Sequence, residues 1–219
     1  MPAPASSRQP GTSSWFSGHG GQLLLDEERH WLAPRLAARP VQPRLWLAPV
    51  PPPEPEPEPA VPVPRGVLLY PHGAGYAGSV RCALPWPLPS ECMGDVVLQH
   101  PPPAQIEALL EESRRVLVAG GRLWLCAFNA CGPFRLRGRG AHWAAPLAQD
   151  WQWRLHRLGL QSVEPVRFVG PRWRLRGDGR DAGSALSLRA ACVLQAEKRA
   201  AAPVAPAAVH WRRGAAPAA

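Results

Sequence analysis

The stretch DVVLQHPPPAQIEALLEESRRVLVAGGRLWLCAF, residues 95–128, carries the strongest fold signal in the chain. It opens on an uninterrupted apolar run, residues 96–98, of the kind found in strands covered on both faces. Residues 104–118 repeat apolar side chains at helical spacing, and Gly120-Gly121 is expected to cap that helix. A second apolar run, residues 122–128, follows at once. The stretch therefore predicts a parallel βαβ crossover.

Weaker signals on both sides of this unit predict further helices and strands. The predicted helices cover residues 21–38 and 147–158. The predicted strands cover residues 44–50, 66–70, 79–84, 160–169 and 188–196. This order predicts an α/β fold, a Rossmann-like three-layer sandwich whose mostly parallel sheet carries an antiparallel edge hairpin strand.

Three segments rich in proline, glycine or alanine are expected to lie outside the core. Residues 1–20 and 200–219 are predicted to be disordered ends. Residues 49–65 are predicted to form a Pro/Glu-rich insertion, because alternating proline and glutamate favours extended polyproline II. A single domain over residues 21–199 remains, which suits a chain of 219 residues.

The charge of the chain bears on nucleic-acid binding. A formal net charge of +9 would suit a phosphate backbone, but Lys198 is the only lysine, and alanine and proline are abundant. That pattern favours a compositional origin for the excess of arginine. A nucleic-acid surface built on Arg135, Arg137, Arg139 and the loop 172–180 is the less favoured alternative.

Cysteine spacing and hydropathy bear on metals and on compartment. The five cysteines show neither paired C-x-x-C spacing nor a zinc-finger histidine, so we expect free thiols in a reduced, cytoplasmic protein and no metal site. No apolar run approaches the roughly 20 residues that a membrane span needs. The first residues lack the pattern of a signal peptide, so no contact with a membrane is expected.

Residues 22–199 resemble the class I S-adenosylmethionine-dependent methyltransferases, especially the small bacterial type 11 group. The resemblance is carried by LPSECMGDVVLQH at residues 88–100 and RRVLVAGGRLWLCAFN at residues 114–129. HWAAP at residues 142–146 and the turn at residues 158–160 also fit. The resemblance implies that S-adenosylmethionine binds at the carboxyl ends of the first strands, and that its methyl group passes in line to an unidentified small-molecule acceptor.

Three donor-binding features of that family are missing from this sequence. Residues 45–48 occupy the first-strand position, yet prolines and glutamates follow instead of a glycine-rich turn. The second strand runs into Pro71 and His72 instead of an acidic residue for the ribose, and no aspartate stands near residues 80–84 for the adenine. The resemblance places five residues at donor-binding positions: Ala48, His72, Leu84, Gln99 and His100.

These departures support two hypotheses of function. In the first, the chain is a methyltransferase, and His100, directly after the fourth strand, acts as a general base or fills the mouth of the cleft. In the second, the chain is a degenerate relative that binds no donor and serves as a scaffold or partner-binding subunit. The expected partner is accordingly a small-molecule acceptor or another protein.

Two other patterns are assigned to structure rather than to chemistry. Gly73, Gly75 and Gly78 have G-x-G-x-x-G spacing, but no helix is predicted to begin there, so a surface turn is favoured over a phosphate loop. Trp143, Trp151 and Trp153 are expected to pack inside the domain rather than to stack on a substrate.

Overall fold

The computed structural model describes residues 15–52, 66–132, 146–172 and 189–199. The helices are α1 (His19–Ala37), α2 (Ile106–Val116) and α3 (Ala148–Arg157), and a 3₁₀ turn, Pro103–Gln105, precedes α2. The strands are β1 (Arg44–Leu47), β2 (Gly66–His72), β3 (Gly75–Gly78), β4 (Met93–Gln99), β5 (Leu117–Phe128), β6 (Leu160–Ser162), β7 (Arg167–Arg172) and β8 (Arg189–Lys198).

The described strands form one eight-stranded sheet in the order β3-β2-β1-β4-β5-β8-β6, with β7 also pairing β8. β1 pairs in parallel with β2 and with β4, and β4 pairs in parallel with β5. β3 and β8 run antiparallel to their neighbours. The Rossmann-like fold with a mostly parallel sheet and an antiparallel addition near its edge is therefore confirmed.

Apolar side chains on the two faces of the sheet form two separate clusters. On one face α1 packs Leu24 and its apolar neighbours against Trp124 of β5 and the inner residues of β7 and β8. On the other face α2 and α3 pack Leu109 and Leu155 against Leu98 of β4. The sheet is thus covered on both sides, which confirms the predicted three-layer sandwich and explains the unbroken apolar runs of β4 and β5.

The βαβ unit is present, but its helix ends earlier than predicted. α2 stops at Val116, and Leu117 already pairs with Met93 of β4. Gly120, at φ +75, lies within β5 near a register shift between Met93 and Asp95. The glycine pair therefore forms an irregularity within a strand rather than a helix cap, because pairing with β4 draws the preceding apolar residues into the sheet.

The prediction of a strand over residues 79–84 is wrong. β2 continues to His72 and turns directly into β3, and beyond β3 Cys82 makes only an isolated bridge to Tyr76. Gly73 permits the turn because its φ is +60. A Cβ on Gly78 would stand 2.1 Å from the carbonyl oxygen of Leu68, so the close approach of these strands also requires glycine.

The predicted strand over residues 160–169 is divided into β6 and β7. Pro165 lies between them and has no N–H to donate to a ladder. β8 pairs with β5 along one side and with both of these strands along the other. The antiparallel strand β8 therefore lies one position inside the edge of the sheet that β6 and β7 form.

The amino-terminal boundary also differs from the prediction. Residues 1–20 were expected to be disordered, but Phe16 is fully buried and the ring of Trp15 lies 4.9 Å from it. Their aromatic area is large enough to fix this end of the chain against the sheet. Val50, at the start of the predicted insertion, is also buried against the α1 side of the sheet.

Several sequence predictions concern residues outside the described ranges. They include residues 1–14 and 200–219 at the ends, and residues 53–65 of the insertion. Trp143, and Arg135, Arg137, Arg139 and most of loop 172–180 from the nucleic-acid hypothesis, also lie outside the described ranges.

Candidate functional site

The candidate site lies where β4 ends, at the carboxyl edge of the parallel strands, where folds of this kind bind ligands. Gln99, the last residue of β4, is fully buried. The side chain of His100 is 2% exposed, and its backbone has φ +45, an uncommon conformation for a residue other than glycine. A strained, buried histidine at this edge marks a candidate functional site.

A carboxylate from α1 meets both of these residues. Glu28 is fully buried, and its Oε1 lies 2.8 Å from Nε2 of His100. Its Oε2 accepts a hydrogen bond of 2.8 Å from Nε2 of Gln99, whose Oε1 accepts one of 3.1 Å from Nε1 of Trp46. We call Glu28, Trp46, Gln99 and His100 the carboxyl-edge cluster. It connects α1, β1 and the end of β4.

Aromatic rings cover this cluster. The rings of Phe16 and Phe128 lie 4.7 and 4.4 Å from the imidazole of His100, and they stack on each other at 5.5 Å. Trp15 lies edge-on to Phe128 at 5.5 Å. The imidazole is thereby held between apolar surfaces, which strengthens its hydrogen bond to Glu28 by excluding water.

The hydrogen bond to Glu28 determines what His100 can do chemically. A neutral imidazole that donates from Nε2 to a carboxylate carries its lone pair on Nδ1. That Nδ1 is buried and has no hydrogen-bond partner among the described residues. The arrangement is that of a proton acceptor oriented by a carboxylate. The rings of Phe16 and Phe128 lie against the imidazole and cover this acceptor.

The five residues predicted for donor binding do not converge on one point. Gln99 and His100 meet through Glu28. Ala48 is buried, and its N–H donates to the carbonyl oxygen of Leu69, so the ladder continues where a turn was expected. His72 is exposed and pairs with Gly75 in the β2–β3 hairpin, whereas Leu84 packs against the cluster on the α2 and α3 side of the sheet.

Sequence reasoning missed Glu28, although its position carries a signal. Leu24, Glu28, Leu32 and Leu36 follow one another at intervals of four residues, so they share one helix face, and all four are buried. A carboxylate in the middle of an apolar helix face requires a partner in the core. His100, buried after an apolar strand, is the matching group.

Two buried thiols near the carboxyl-edge cluster have low reactivity. Burial raises the pKa of Cys126 well above its ordinary value, and the charge of Glu28 raises it further. The same two causes raise the pKa of Cys192 to about 12. These thiols stay protonated at neutral pH and are poor nucleophiles.

The described residues present no metal site and no membrane-spanning helix. Nowhere in residues 15–52, 66–132, 146–172 and 189–199 do three His, Cys, Asp or Glu side chains gather as metal ligands would. Within the same ranges, every helix is too short or too polar to cross a membrane.

The described residues at this edge bear on whether a methyl donor could bind there. The Glu28 carboxylate is already hydrogen-bonded through both of its oxygens, to His100 and to Gln99. Residues 48–52 and 66–92 contain no helix, so within these two described ranges no helix amino terminus faces the edge.

Comparison with known proteins gives matches in structure alone. No protein-family model and no curated protein matches the sequence. A chain of the Haloferax volcanii complex between the Trm112 methyltransferase activator and a methyltransferase matches with a TM-score of 0.51 and 10% identity, over 87% of this chain and 98% of that chain.

Two other solved structures are S-adenosylmethionine-dependent methyltransferases. The one from Thermotoga maritima has a TM-score of 0.47 and 13% identity, over 84% of this chain and 93% of that chain. The one from Archaeoglobus fulgidus has a TM-score of 0.39 and 14% identity. That match covers 51% of this chain and 62% of the Archaeoglobus fulgidus chain. With the strand order described above, the likeness to the Haloferax volcanii chain shows that this chain has the fold of the class I S-adenosylmethionine-dependent methyltransferases.

Proposed function

We propose that this chain is a methyltransferase-fold protein that binds no S-adenosylmethionine and acts as a partner-binding subunit. The observation that carries the proposal is the carboxyl-edge cluster. Glu28 and the ring of Phe16, both fully buried, lie against His100 at the edge where such folds bind a ligand. Side chains of the chain itself thus satisfy the hydrogen-bonding groups at this edge and cover it.

The energetics of the cluster favour a permanent structure over a displaceable one. A donor molecule entering here would have to separate Glu28 from His100 and Gln99 and expose the ring of Phe16. Leaving a buried polar group unpaired costs about 1–3 kcal/mol, and leaving a buried charge unpaired costs more. A ligand would have to recover that cost before any net binding appeared.

Methyl transfer to a small molecule is the alternative proposal. The fold and the unpartnered Nδ1 of His100 support it, since an acceptor could deliver a proton there. That alternative requires movement of α1 and Phe16 away from the edge. It predicts saturable donor binding that weakens when His100 or Gln99 is replaced.

Titration calorimetry with S-adenosylmethionine and S-adenosylhomocysteine tests the proposal. We expect no saturable heat at millimolar ligand for the wild type. The variants Gln99→Ala and Asp26→Ala, one in the cluster and one on the exposed side of α1, are expected to give the same flat trace. Saturable one-to-one binding that Gln99→Ala weakens and Asp26→Ala leaves unchanged would establish the methyltransferase alternative instead.

A further inference from the structure

The outer face of α3 presents a large aromatic side chain to solvent. Trp153 is 60% exposed, whereas Trp151 and Leu155 on the inner face of the same helix are buried. Trp153 therefore does not pack inside the domain, contrary to the prediction from sequence, although Trp151 does. Tryptophan and arginine are enriched among the residues that dominate binding energy at interfaces, so an exposed tryptophan is a candidate contact where arginines lie beside it.

One arginine lies over this ring, and a second lies beside the end of the same helix. The guanidinium carbon of Arg157 stands 4.7 Å from the ring centroid of Trp153. Arg114, from the end of α2, places its Nε 3.9 Å from where a Cβ of Gly159 would stand, just past the end of α3. Neither arginine forms an ion pair with a carboxylate of the described residues, whereas the neighbouring Arg154 is bound to Glu107 at 2.8 Å. We call Arg114, Trp153 and Arg157 the Trp153 surface.

The chemistry of this surface selects its partner. An exposed indole offers apolar area, and two guanidinium groups offer forked donors that match carboxylates. A chain of phosphates fits less well, because α2 and α3 also expose the carboxylates of Glu111 and Asp150. A nucleic-acid backbone, with a charge on every nucleotide, would meet that repulsion along its length, whereas a short acidic peptide need not.

We propose that the Trp153 surface docks an acidic segment of a partner protein that also carries an aromatic side chain. The proposal rests on the proposed partner-binding function and names the chemistry of the partner. The aromatic side chain of the segment packs on Trp153, and its carboxylates pair with Arg157 and Arg114. Tryptophan and arginine are the residues that most often dominate the binding energy of such interfaces.

A soluble copolymer of glutamate and tyrosine, labelled for fluorescence anisotropy, is the probe for the full-length protein. We expect saturable binding that weakens about tenfold in Trp153→Ala and in Arg157→Gln. Val41→Ala is the matched control, because Val41 is 82% exposed on a segment before β1 and is expected to leave the affinity unchanged. Polyglutamate without tyrosine is expected to bind more weakly than the copolymer.

Two results would overturn the inference. One is equal affinity of the wild type and Trp153→Ala for the copolymer, which would show adsorption by net charge alone. The other is tighter, Trp153-dependent binding of oligodeoxythymidylate, which would assign the surface to single-stranded nucleic acid. The two proposals fail on different measurements, and the anisotropy titration is repeated with 1 mM S-adenosylhomocysteine to keep them apart. Binding of the donor in the calorimeter would refute the proposed function. Copolymer binding that does not depend on Trp153 would refute only this surface.

Discussion

Glu28 and His100 are 72 positions apart in the sequence, yet their side chains meet at 2.8 Å with almost no access to solvent. The contact ties the first helix to the end of the fourth strand. It lies at the edge where related folds hold a ligand, so one pair of side chains joins the core of the domain to that edge.

Replacing Glu28 with alanine is expected to destabilise the domain by about 3 kcal/mol. The change removes the partner of buried His100 and one of the acceptors of Gln99, which leaves polar groups unpaired in the core. Urea unfolding followed by circular dichroism measures the loss. Asp26→Ala, on the exposed side of the same helix, should change the free energy of unfolding by less than about 0.5 kcal/mol. Equal effects of the two substitutions would contradict the structural role of the pair.

A second prediction concerns the acid dependence of stability. The hydrogen bond from Arg115 is the main cause that lowers the pKa of Glu112 below its ordinary 4.5, and the N–H of Trp86 adds to it. A lowered pKa means that the carboxylate stabilises the fold above pH 4.5 and that this contribution is lost as the pH falls through the folded-state pKa.

Glu112→Gln should therefore lower the free energy of unfolding at pH 7 by about 1–2 kcal/mol, with the difference from wild type vanishing in acid. Urea titrations at several pH values between 7 and 3 measure that difference. Glu107→Gln is the control, because Glu107 is 65% exposed and its pair with Arg154 should matter little at any pH. A Glu112→Gln deficit that persists unchanged in acid would show that the loss is not electrostatic.

Thiol reactivity gives a third prediction. Burial raises the pKa values of Cys126 and Cys192, whereas Cys131 is exposed. At pH 8 iodoacetamide should modify Cys131 within minutes and leave the two buried thiols intact until denaturant is added. Mass spectrometry of digested peptides reads the sites. Rapid native labelling of Cys126 would mean that the sheet opens beneath α1.

The β4–α2–β5 unit was predictable because its signals are local. Continuous apolar runs, helical spacing and closeness in sequence all act within residues 95–128. The antiparallel direction of β8 was also predicted, from the order of the helices and strands. The end of α2 was not, because the pairing of Leu117 with Met93 overrides the helix signal of the glycine pair.

The site was predictable only in part, because some of its groups reach the edge through tertiary contacts. Gln99 and His100 were identified from their place after β4. Glu28 and Phe16 were not, because a helix face shows that a group is buried without showing which strand it meets. The β2–β3 hairpin was missed for a similar reason. The turn at Gly73 can be predicted from the sequence, but the close approach of Gly78 to Leu68 depends on how the strands pair.

We propose that the carboxyl edge of the sheet is closed to the methyl donor. The thermal unfolding temperature, measured with and without 1 mM S-adenosylhomocysteine, shows whether a ligand enters this edge. A ligand present at a hundred times its Kd stabilises by about 2.7 kcal/mol, or roughly 5–10 °C for a chain of this size. We expect the unfolding temperature to change by less than about 1 °C, whereas a concentration-dependent rise of several degrees would show that the edge binds the donor.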